Sequence, residues 1–189
     1  MKKKGFTIIE LMVVIALFGV LITVLTTVVI QAIQGANRAS IQNEVRQNAQ
    51  KVFSDLGTEI RKASCLTYSS SGTTNTLSTY SDSGCVNSVA TYTSDGGAKT
   101  FTKTIGAFPP INLLSTQVAP VSCGVSGSSC GTASCTTNGF TVTGYDGSPI
   151  VGNYPNAVKV TLTVQQTPGQ TRSDFCGIIT LTDTFTPRN

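Results

Sequence analysis

The chain has 189 residues, of which 40% are hydrophobic and 12% charged, so it is long enough for one medium domain and an additional segment. It contains no histidine, which excludes histidine-based triads, histidine-ligated metals and histidine general bases. Six cysteines in a small chain predict an oxidising compartment, and the formal charge of +4 raises the question of an acidic partner, either nucleic acid or an anionic membrane.

The N-terminal residues have the composition of a membrane anchor. A basic leader, Lys2, Lys3 and Lys4, precedes a stretch from Leu11 to Ile30 that has neither a charge nor a proline. A helix of this length spans about 30 Å, the thickness of a bilayer hydrocarbon core. The stretch is longer than the apolar region of a secretory signal, and no small-residue cleavage site follows it. Because basic flanks stay cytoplasmic, the pattern predicts one membrane-spanning helix with an exported C-terminal part.

One acidic residue, Glu10, lies inside the apolar run from Phe6 to Ile30. Inserting an ionised carboxylate into a membrane helix costs roughly 3 kcal/mol, so such a residue usually has a partner or a function. The alternative is a position near the lipid headgroups, with the carboxylate directed toward water.

The segment Gly5–Leu11, Gly-Phe-Thr-Ile-Ile-Glu-Leu, resembles the processing motif of type IV pilins and of the pseudopilins of type II secretion and DNA-uptake machines. The motif joins a basic leader, a glycine, an aromatic residue and a glutamate four residues after the aromatic one. The resemblance implies that a prepilin peptidase cleaves between Gly5 and Phe6 on the cytoplasmic side. It also implies that the same enzyme methylates the new amino group of Phe6.

The resemblance gives Glu10 a role in assembly and registry. A new α-amino group, with a pKa of about 7.7–8, is mostly cationic at neutral pH and lies at the end of an apolar helix. Glu10 of a neighbouring subunit can neutralise it, which would fix the axial stagger of helices in a bundle. Glu10 of the same chain is the other possible partner, since Phe6 and Glu10 are one helical turn apart. The sequence allows both.

Beyond Ile30 the apolar run changes to an amphipathic pattern. The pattern predicts that the helix continues to Lys62 and packs an apolar stripe beneath a C-terminal sheet. The stripe steps by three or four residues and consists of Ile41, Val45, Ala49, Val52, Leu56 and Ile60. These steps lack the sustained alternation of a free-standing coiled coil. Thr27 occupies a position where many pilus-forming pilins have a proline, so the resemblance favours a minor pilin or a pseudopilin.

The remaining residues, 64–189, predict a β-rich globular head. Two serine-rich stretches, 69–72 and 126–129, are predicted to be exposed loops. Alternation predicts strands at 140–143 and 158–164 and a last strand between Phe175 and Phe185, with Ile179, Leu181 and Phe185 on one face. A further hairpin is predicted around Asp95.

Together these elements predict an α+β fold, in which a long N-terminal helix packs against a C-terminal antiparallel β-sheet, as the pilin resemblance also implies. The predicted organisation is a cleaved cytoplasmic leader at 1–5, a transmembrane and assembly helix at 6–30, an amphipathic helix at 31–63 and the head at 64–189.

The cysteines are predicted to form disulfides, since an exported, loop-rich head needs covalent fastening. They are Cys65, Cys85, Cys123, Cys130, Cys135 and Cys176, for which fifteen pairings exist. Cys65 follows the helix and Cys85 follows a polar loop, which favours pairing these two. Cys176 is then expected to pair with one of the middle three cysteines. Zinc is disfavoured, because the sequence has neither a C-x2-C pair nor a histidine.

One catalytic pattern is matched formally, because residues 127–131 read Gly-Ser-Ser-Cys-Gly and satisfy G-x-S-x-G. That motif requires a strand before it, a helix after it and a histidine base, whereas this segment has the composition of a loop. The sequence has no calcium-loop spacing of aspartates and no phosphate-binding glycine loop. It therefore predicts neither an enzyme nor a metal or other cofactor.

The predicted function is that of a structural subunit, a minor pilin or pseudopilin, in a type IV pilus or a type II secretion-like filament. By resemblance, its partners are the prepilin peptidase, other pilin or pseudopilin subunits, the inner-membrane assembly platform and membrane lipid. It would cross the bacterial inner membrane once before assembly, with a cytoplasmic N-terminus, and belong to a periplasmic or extracellular filament afterwards. The alternatives are an adhesion or DNA-capture subunit displayed on the filament, and a single-pass membrane protein that does not assemble.

The positive charge does not favour DNA capture. Removing Lys2, Lys3 and Lys4 with the leader leaves side-chain charges of 10 − 9 = +1. The basic residues of the head are dispersed and form no stripe interleaved with aromatic residues; they include Lys99, Lys103, Lys159 and Arg172. The sequence thus predicts no nucleic-acid site.

Overall fold

The computed structural model describes residues 7–116, 118–120, 138–146, 150, 157–166 and 177–187. Within these residues it contains one helix and nine strands. They are α1 (Ile8–Lys62), β1 (Cys65–Ser71), β2 (Thr74–Tyr80), β3 (Ser88–Asp95), β4 (Thr100–Ile105), β5 (Ile111–Asn112), β6 (Val118–Ala119), β7 (Phe140–Gly144), β8 (Val158–Gln166) and β9 (Ile178–Phe185). The chain divides into two compact units, Met1–Ala39 and Ser40–Asn189, and the division falls inside α1. The α+β class predicted from the sequence is confirmed.

Helix α1 joins the two predicted helical segments into one element of 55 residues. In the second unit, the predicted apolar stripe is buried from Val45 to Ile60 and partly buried at Ile41. Phe53 and Gly57 are buried beside it, so the covered face is wider than the stripe alone. Arg61 and Lys62 lie in the last turn, where cations interact favourably with the helix dipole.

The first sheet is antiparallel and has the order β1-β2-β3-β4-β5. Its residues alternate between a buried face and a face of serine and threonine. One buried row pairs Tyr68 with Leu77, Leu77 with Tyr92 and Tyr92 with Lys103. The buried apolar side chains of this row join the core formed with α1. The hairpin predicted around Asp95 is present as β3 and β4.

The loop predicted at residues 69–72 is wrong, because Ser69–Ser71 belongs to β1. The turn follows at Gly72, whose φ of 58° suits a residue without a side chain. The prediction failed because the outer face of this sheet carries hydroxyl residues instead of charged ones. For example, Ser69 pairs with Thr76, and Thr76 with Thr93. Such a strand has the composition of a loop, although threonine favours extended backbone. The second predicted loop, 126–129, lies outside the described residues.

The second sheet is built around β8, and all its pairs are antiparallel. Strand β9 pairs along one edge of β8, and β7 and β6 follow one another along the other edge. Val158, Val160, Leu162 and Val164 are buried as predicted, but Thr163 and Gln165 are buried as well, so the predicted alternation ends at Leu162. On β9 the predicted face is also confirmed, since Phe185 is buried and Ile179 and Leu181 are partly buried.

Asn138 and Phe140 connect the two sheets. Asn138 donates from Nδ2 to the carbonyl oxygens of Ser94 (2.6 Å) and Thr73 (2.8 Å), and its Oδ1 accepts from the hydroxyl of Ser94 (2.7 Å). The ring of Phe140 packs edge-on against Phe101 with a centroid distance of 5.1 Å. The core of the head therefore extends continuously from the first sheet to the second.

Candidate processing and assembly segment

Helix α1 begins with a capping box formed by Thr7 and Glu10. The hydroxyl of Thr7 accepts a hydrogen bond from the backbone N–H of Glu10 at 3.4 Å, and the carboxylate of Glu10 accepts one from the backbone N–H of Thr7 at 3.3 Å. The hydroxyl of Thr7 also donates to the same carboxylate oxygen at 3.3 Å. This reciprocal arrangement gives the backbone N–H of Thr7 an acceptor, and it gives the N–H of Glu10 a second acceptor beside the carbonyl oxygen of Thr7. It places the negative charge in the first turn, where the helix dipole favours it.

The side chains that follow Glu10 are apolar and exposed. Exposure is 57% at Leu11, 60% at Phe18 and 49% at Ile30. This part of α1 is long and apolar enough to cross a membrane, by length and composition. Exposed apolar area of this extent marks a membrane or protein contact, since soluble monomers rarely present it to water.

The residues predicted for cleavage and methylation, Gly5 and Phe6, lie outside the described residues, as do Lys2, Lys3 and Lys4. Their assignment stays a prediction. Glu10 is described and its side chain is exposed, so the carboxylate is accessible beyond its contacts with Thr7. Sequence reasoning missed the capping box, although the spacing Thr-x-x-Glu ahead of an apolar run is its usual signal.

Two of the six cysteines are described, and they form the disulfide that the sequence favoured, between Cys65 and Cys85. The bond connects the first residue of β1 to the loop between β2 and β3, across 20 positions of sequence. Cys123, Cys130, Cys135 and Cys176 lie outside the described residues, and their pairing stays a prediction.

The head contains a polar group, here called the Lys103 cluster, that sequence reasoning missed. It consists of Asp55 and Glu59 on α1, Tyr92 on β3 and Lys103 on β4. The ammonium of Lys103 lies 3.0 and 2.9 Å from the two carboxylate oxygens of Asp55 and 3.4 Å from Oε1 of Glu59. The hydroxyl of Tyr92 donates to Oδ2 of Asp55 at 2.7 Å.

The ion pairs of the Lys103 cluster matter for the stability of the head because the lysine is buried. The side chain of Lys103 is only 10% exposed, whereas those of Glu59 and Asp55 are 19% and 34% exposed. Burial, followed by the hydrogen bond to Asp55, raises the pKa of Tyr92 far above its ordinary value, so its hydroxyl stays a donor at physiological pH. A buried lysine that loses its carboxylate partners is strongly destabilising. Lys103 is therefore committed to α1 and is not available to an external phosphate.

A cavity of about 130 Å³ lies beside the end of α1, lined by Glu59, Lys62, Ala63, Thr79, Tyr80, Ser81 and Val89. In the described part of the chain, every buried side-chain nitrogen or oxygen has a hydrogen-bond partner. The described part of the chain also contains no group of three or more acidic, cysteine or histidine side chains placed to hold a metal. The cavity thus has no unsatisfied polar group directed at a ligand.

Comparison with known proteins identifies the N-terminal segment. Residues 1–26 match the family model described as the prokaryotic N-terminal methylation motif. Neither the curated proteins nor the solved structures contain a match to the chain. The matched segment includes Thr7, Glu10 and the first part of the exposed apolar helix. By this motif, the chain carries at its N-terminus the hallmark of type IV pilins and pseudopilins.

Proposed function

We propose that this protein is a structural subunit, a minor pilin or pseudopilin, of a type IV pilus or a type II secretion-like filament. A prepilin peptidase would cleave it between Gly5 and Phe6 and methylate the amino group of Phe6. The observation that carries the proposal is the methylation motif at residues 1–26, joined to a helix whose apolar side chains are exposed. The motif belongs to proteins with structural rather than catalytic roles.

The position of Glu10 supports an assembly role. Its carboxylate lies in the first turn of α1, within reach of the end at which processing would create a cationic amino group. Transfer of the helix out of the membrane requires that this charge be neutralised, because an unpaired charge is costly in an apolar bundle. The capping box shows that Glu10 already has an intrachain partner, Thr7. A neighbouring subunit's amino group would compete with Thr7 for the carboxylate and would set the axial register.

Mass spectrometry of the mature N-terminus tests the processing step. We expect the chain isolated from membranes to begin with N-methylated Phe6. A chain that still begins with Met1, or with an unmodified internal residue, would support the non-assembling membrane protein instead.

Two substitutions of Glu10 separate its charge from its capping role. Glu10→Val removes both, whereas Glu10→Gln keeps an acceptor for the backbone N–H of Thr7 and removes only the charge. We expect both variants to insert and to be cleaved. We also expect both to be depleted from sheared filaments by roughly a hundredfold or more, as for loss of one partner of a buried ion pair. Normal incorporation of Glu10→Gln would contradict the charge-based role.

The two described lysines of the head strands, Lys103 and Lys159, give the DNA-capture alternative no support. Lys103 is buried in its ion pairs with α1, and Lys159 stands alone among threonines on the outer face of β8. A nucleic-acid surface requires several basic side chains on one face. The proposal therefore rests on assembly.

A further inference from the structure

The Lys103 cluster brings an amine and a carboxyl group together in a setting that favours reaction between them. Nζ of Lys103 contacts both oxygens of Asp55, so a rotation of the carboxylate about its Cβ–Cγ bond would expose the carboxyl carbon to the amine. Holding two groups this close favours reaction between them once they are oriented. Residues 55 and 103 are far apart in sequence but are held together by the packing of α1 on the first sheet.

We propose that Lys103 and Asp55 form an intramolecular isopeptide bond, with Glu59 carrying the proton and Tyr92 stabilising the developing oxyanion. The bond would covalently join α1 to β4 and would be a modification of the head additional to the Cys65–Cys85 disulfide.

The step needs no oxidant, reductant or other co-reactant. Glu59 first accepts one proton from the ammonium, because only the neutral amine has a lone pair with which to attack Cγ of Asp55. The N–C bond forms, the bond from Cγ to Oδ1 breaks, and Glu59 returns its proton to the departing oxygen. The ammonium begins with three hydrogens and the amide keeps one. The other two leave with Oδ1 as one molecule of water, and the charges of the ammonium and the carboxylate cancel. Lys-NH₃⁺ and Asp-COO⁻ thus become an amide and water, with all atoms accounted for.

The neighbours of the two groups match the needs of this step. Oε1 of Glu59 lies 3.4 Å from Nζ, which suits acceptance of a proton from the amine and its delivery to the departing oxygen. The hydroxyl of Tyr92 donates to Oδ2, the oxygen that would carry negative charge in the tetrahedral intermediate. Only 10% of the Lys103 side chain is exposed, which limits the access of water to the reacting groups. Asp55 is one-third exposed, so the released water molecule can leave toward solvent.

The mass of the full chain tests the proposal. We would purify the chain from detergent-solubilised membranes, reduce its disulfides and measure the intact mass. The expected mass is lower by one water molecule than the mass of the same processed sequence. Proteolytic digestion should then yield one branched peptide that contains both Asp55 and Lys103.

Three variants show whether the Lys103 cluster is responsible for the loss of water. Lys103→Arg keeps a cation near Asp55, but a guanidinium stays protonated and is a poor nucleophile, so this variant should have full mass. Glu59→Gln keeps the amine and Asp55 but removes the proton acceptor, and it should also have full mass. The matched control is Glu44→Gln, another carboxylate of α1, which accepts a hydrogen bond from Ser115 outside the cluster. It should lose water as the wild type does.

The wild-type measurement decides the proposal even where a variant fails to accumulate. Full mass of the wild-type chain, without a branched peptide, would overturn it and identify the contact as an ion pair only. A loss of water in Glu59→Gln equal to that of the wild type would overturn the assigned role of Glu59.

Discussion

Gly139 lets two backbone segments of the head lie closer together than a residue with a side chain would permit. At Gly139, the backbone carbonyl accepts a hydrogen bond from the N–H of Thr163 at 2.7 Å, and the backbone N–H donates to the carbonyl of Pro120 at 3.0 Å. A Cβ atom at this position would overlap the carbonyl oxygen of Thr163. Because that oxygen belongs to the backbone of β8, it cannot rotate away.

Gly139→Ala should therefore destabilise the head by about 2 kcal/mol, as expected for overpacking. The measurement is urea unfolding of the full chain in detergent, followed by near-ultraviolet circular dichroism. The matched control is Gly35→Ala on α1, where an added Cβ meets open space and the unfolding of the head should not change. Equal midpoints for the two variants would contradict the steric argument.

Asp82 shows how one exposed carboxylate can organise a loop. Its two oxygens accept hydrogen bonds from the backbone N–H groups of Val86 (3.0 Å) and Asn87 (3.2 Å). These bonds, first that from Val86, lower the pKa of Asp82 below its ordinary value. The ionised form is the one that the folded loop favours. Its stabilising effect is thus present above the ordinary aspartate pKa and is lost as the pH falls through the lowered value.

The amide resonances of Val86 and Asn87 should report this titration. We expect both to shift together in an NMR pH series, with a midpoint below about 3.9, the ordinary aspartate value. Asp82→Asn should abolish the shared transition. A midpoint at or above the ordinary value would show that the carboxylate does not hold these N–H groups in solution.

At the scale of secondary-structure elements, the head depends on junctions between sheets. Asn138 satisfies backbone groups of the first sheet through its side-chain amide and also accepts from the backbone N–H of Phe140 at 3.0 Å. Asn75 and Tyr68 of the first sheet donate in turn to the carbonyl oxygen of Phe140, so side chains supply the hydrogen bonds between the two sheets. Phe140 then places its ring among the aromatic residues of the core.

Asn138→Ala should lower the free energy of unfolding by about 2 kcal/mol, because it removes the acceptor of the Ser94 hydroxyl and a donor to the Ser94 carbonyl at a partly buried site. Asn37→Ala, a matched change on the exposed surface of α1, should have little effect on the head. Hydrogen exchange gives a second readout, since the amide of Phe140 should lose protection only in Asn138→Ala. Unchanged protection there would contradict the proposed junction.

At the scale of the whole molecule, a disulfide adds to the stability that the hydrophobic core gives the head. The Cys65–Cys85 disulfide ties the strand that follows α1 to the loop between β2 and β3. A loop of this size restricts the unfolded chain, which in the chain-entropy model is worth about 3 kcal/mol. The first compact unit therefore contains the exposed apolar part of α1, and the second contains the disulfide-linked sheets.

Replacing both cysteines, as Cys65→Ser with Cys85→Ser, should reduce the unfolding free energy by about 3 kcal/mol. Urea titration of the full chain would measure the loss, and reduction of the wild type should cost at least as much. An unchanged midpoint in the double variant would mean that this bond does not constrain the unfolded chain. Cleavage of the leader should be unaffected, because the motif lies in the other unit.

The sequence by itself determined the features that depend on composition and local spacing. The N-terminal lysines, Glu10 and the apolar run lie within one stretch of chain, so their order is sufficient to indicate the methylation motif and a helix long and apolar enough to cross a membrane. The stripe from Ile41 to Ile60 and the alternation of β8 up to Leu162 were predictable for the same reason, since periodicity alone shows which face is buried.

Tertiary structure decided what depends on partners distant in sequence. Strands β1 and β2 resemble loops because serine and threonine cover their outer face, and only pairing with neighbouring strands establishes them as a sheet. The charge of Lys103 favours an exposed position, yet packing of α1 on β4 buries it against Asp55 and Glu59. Local propensity cannot specify such a contact, because its energy exists only once both elements have docked.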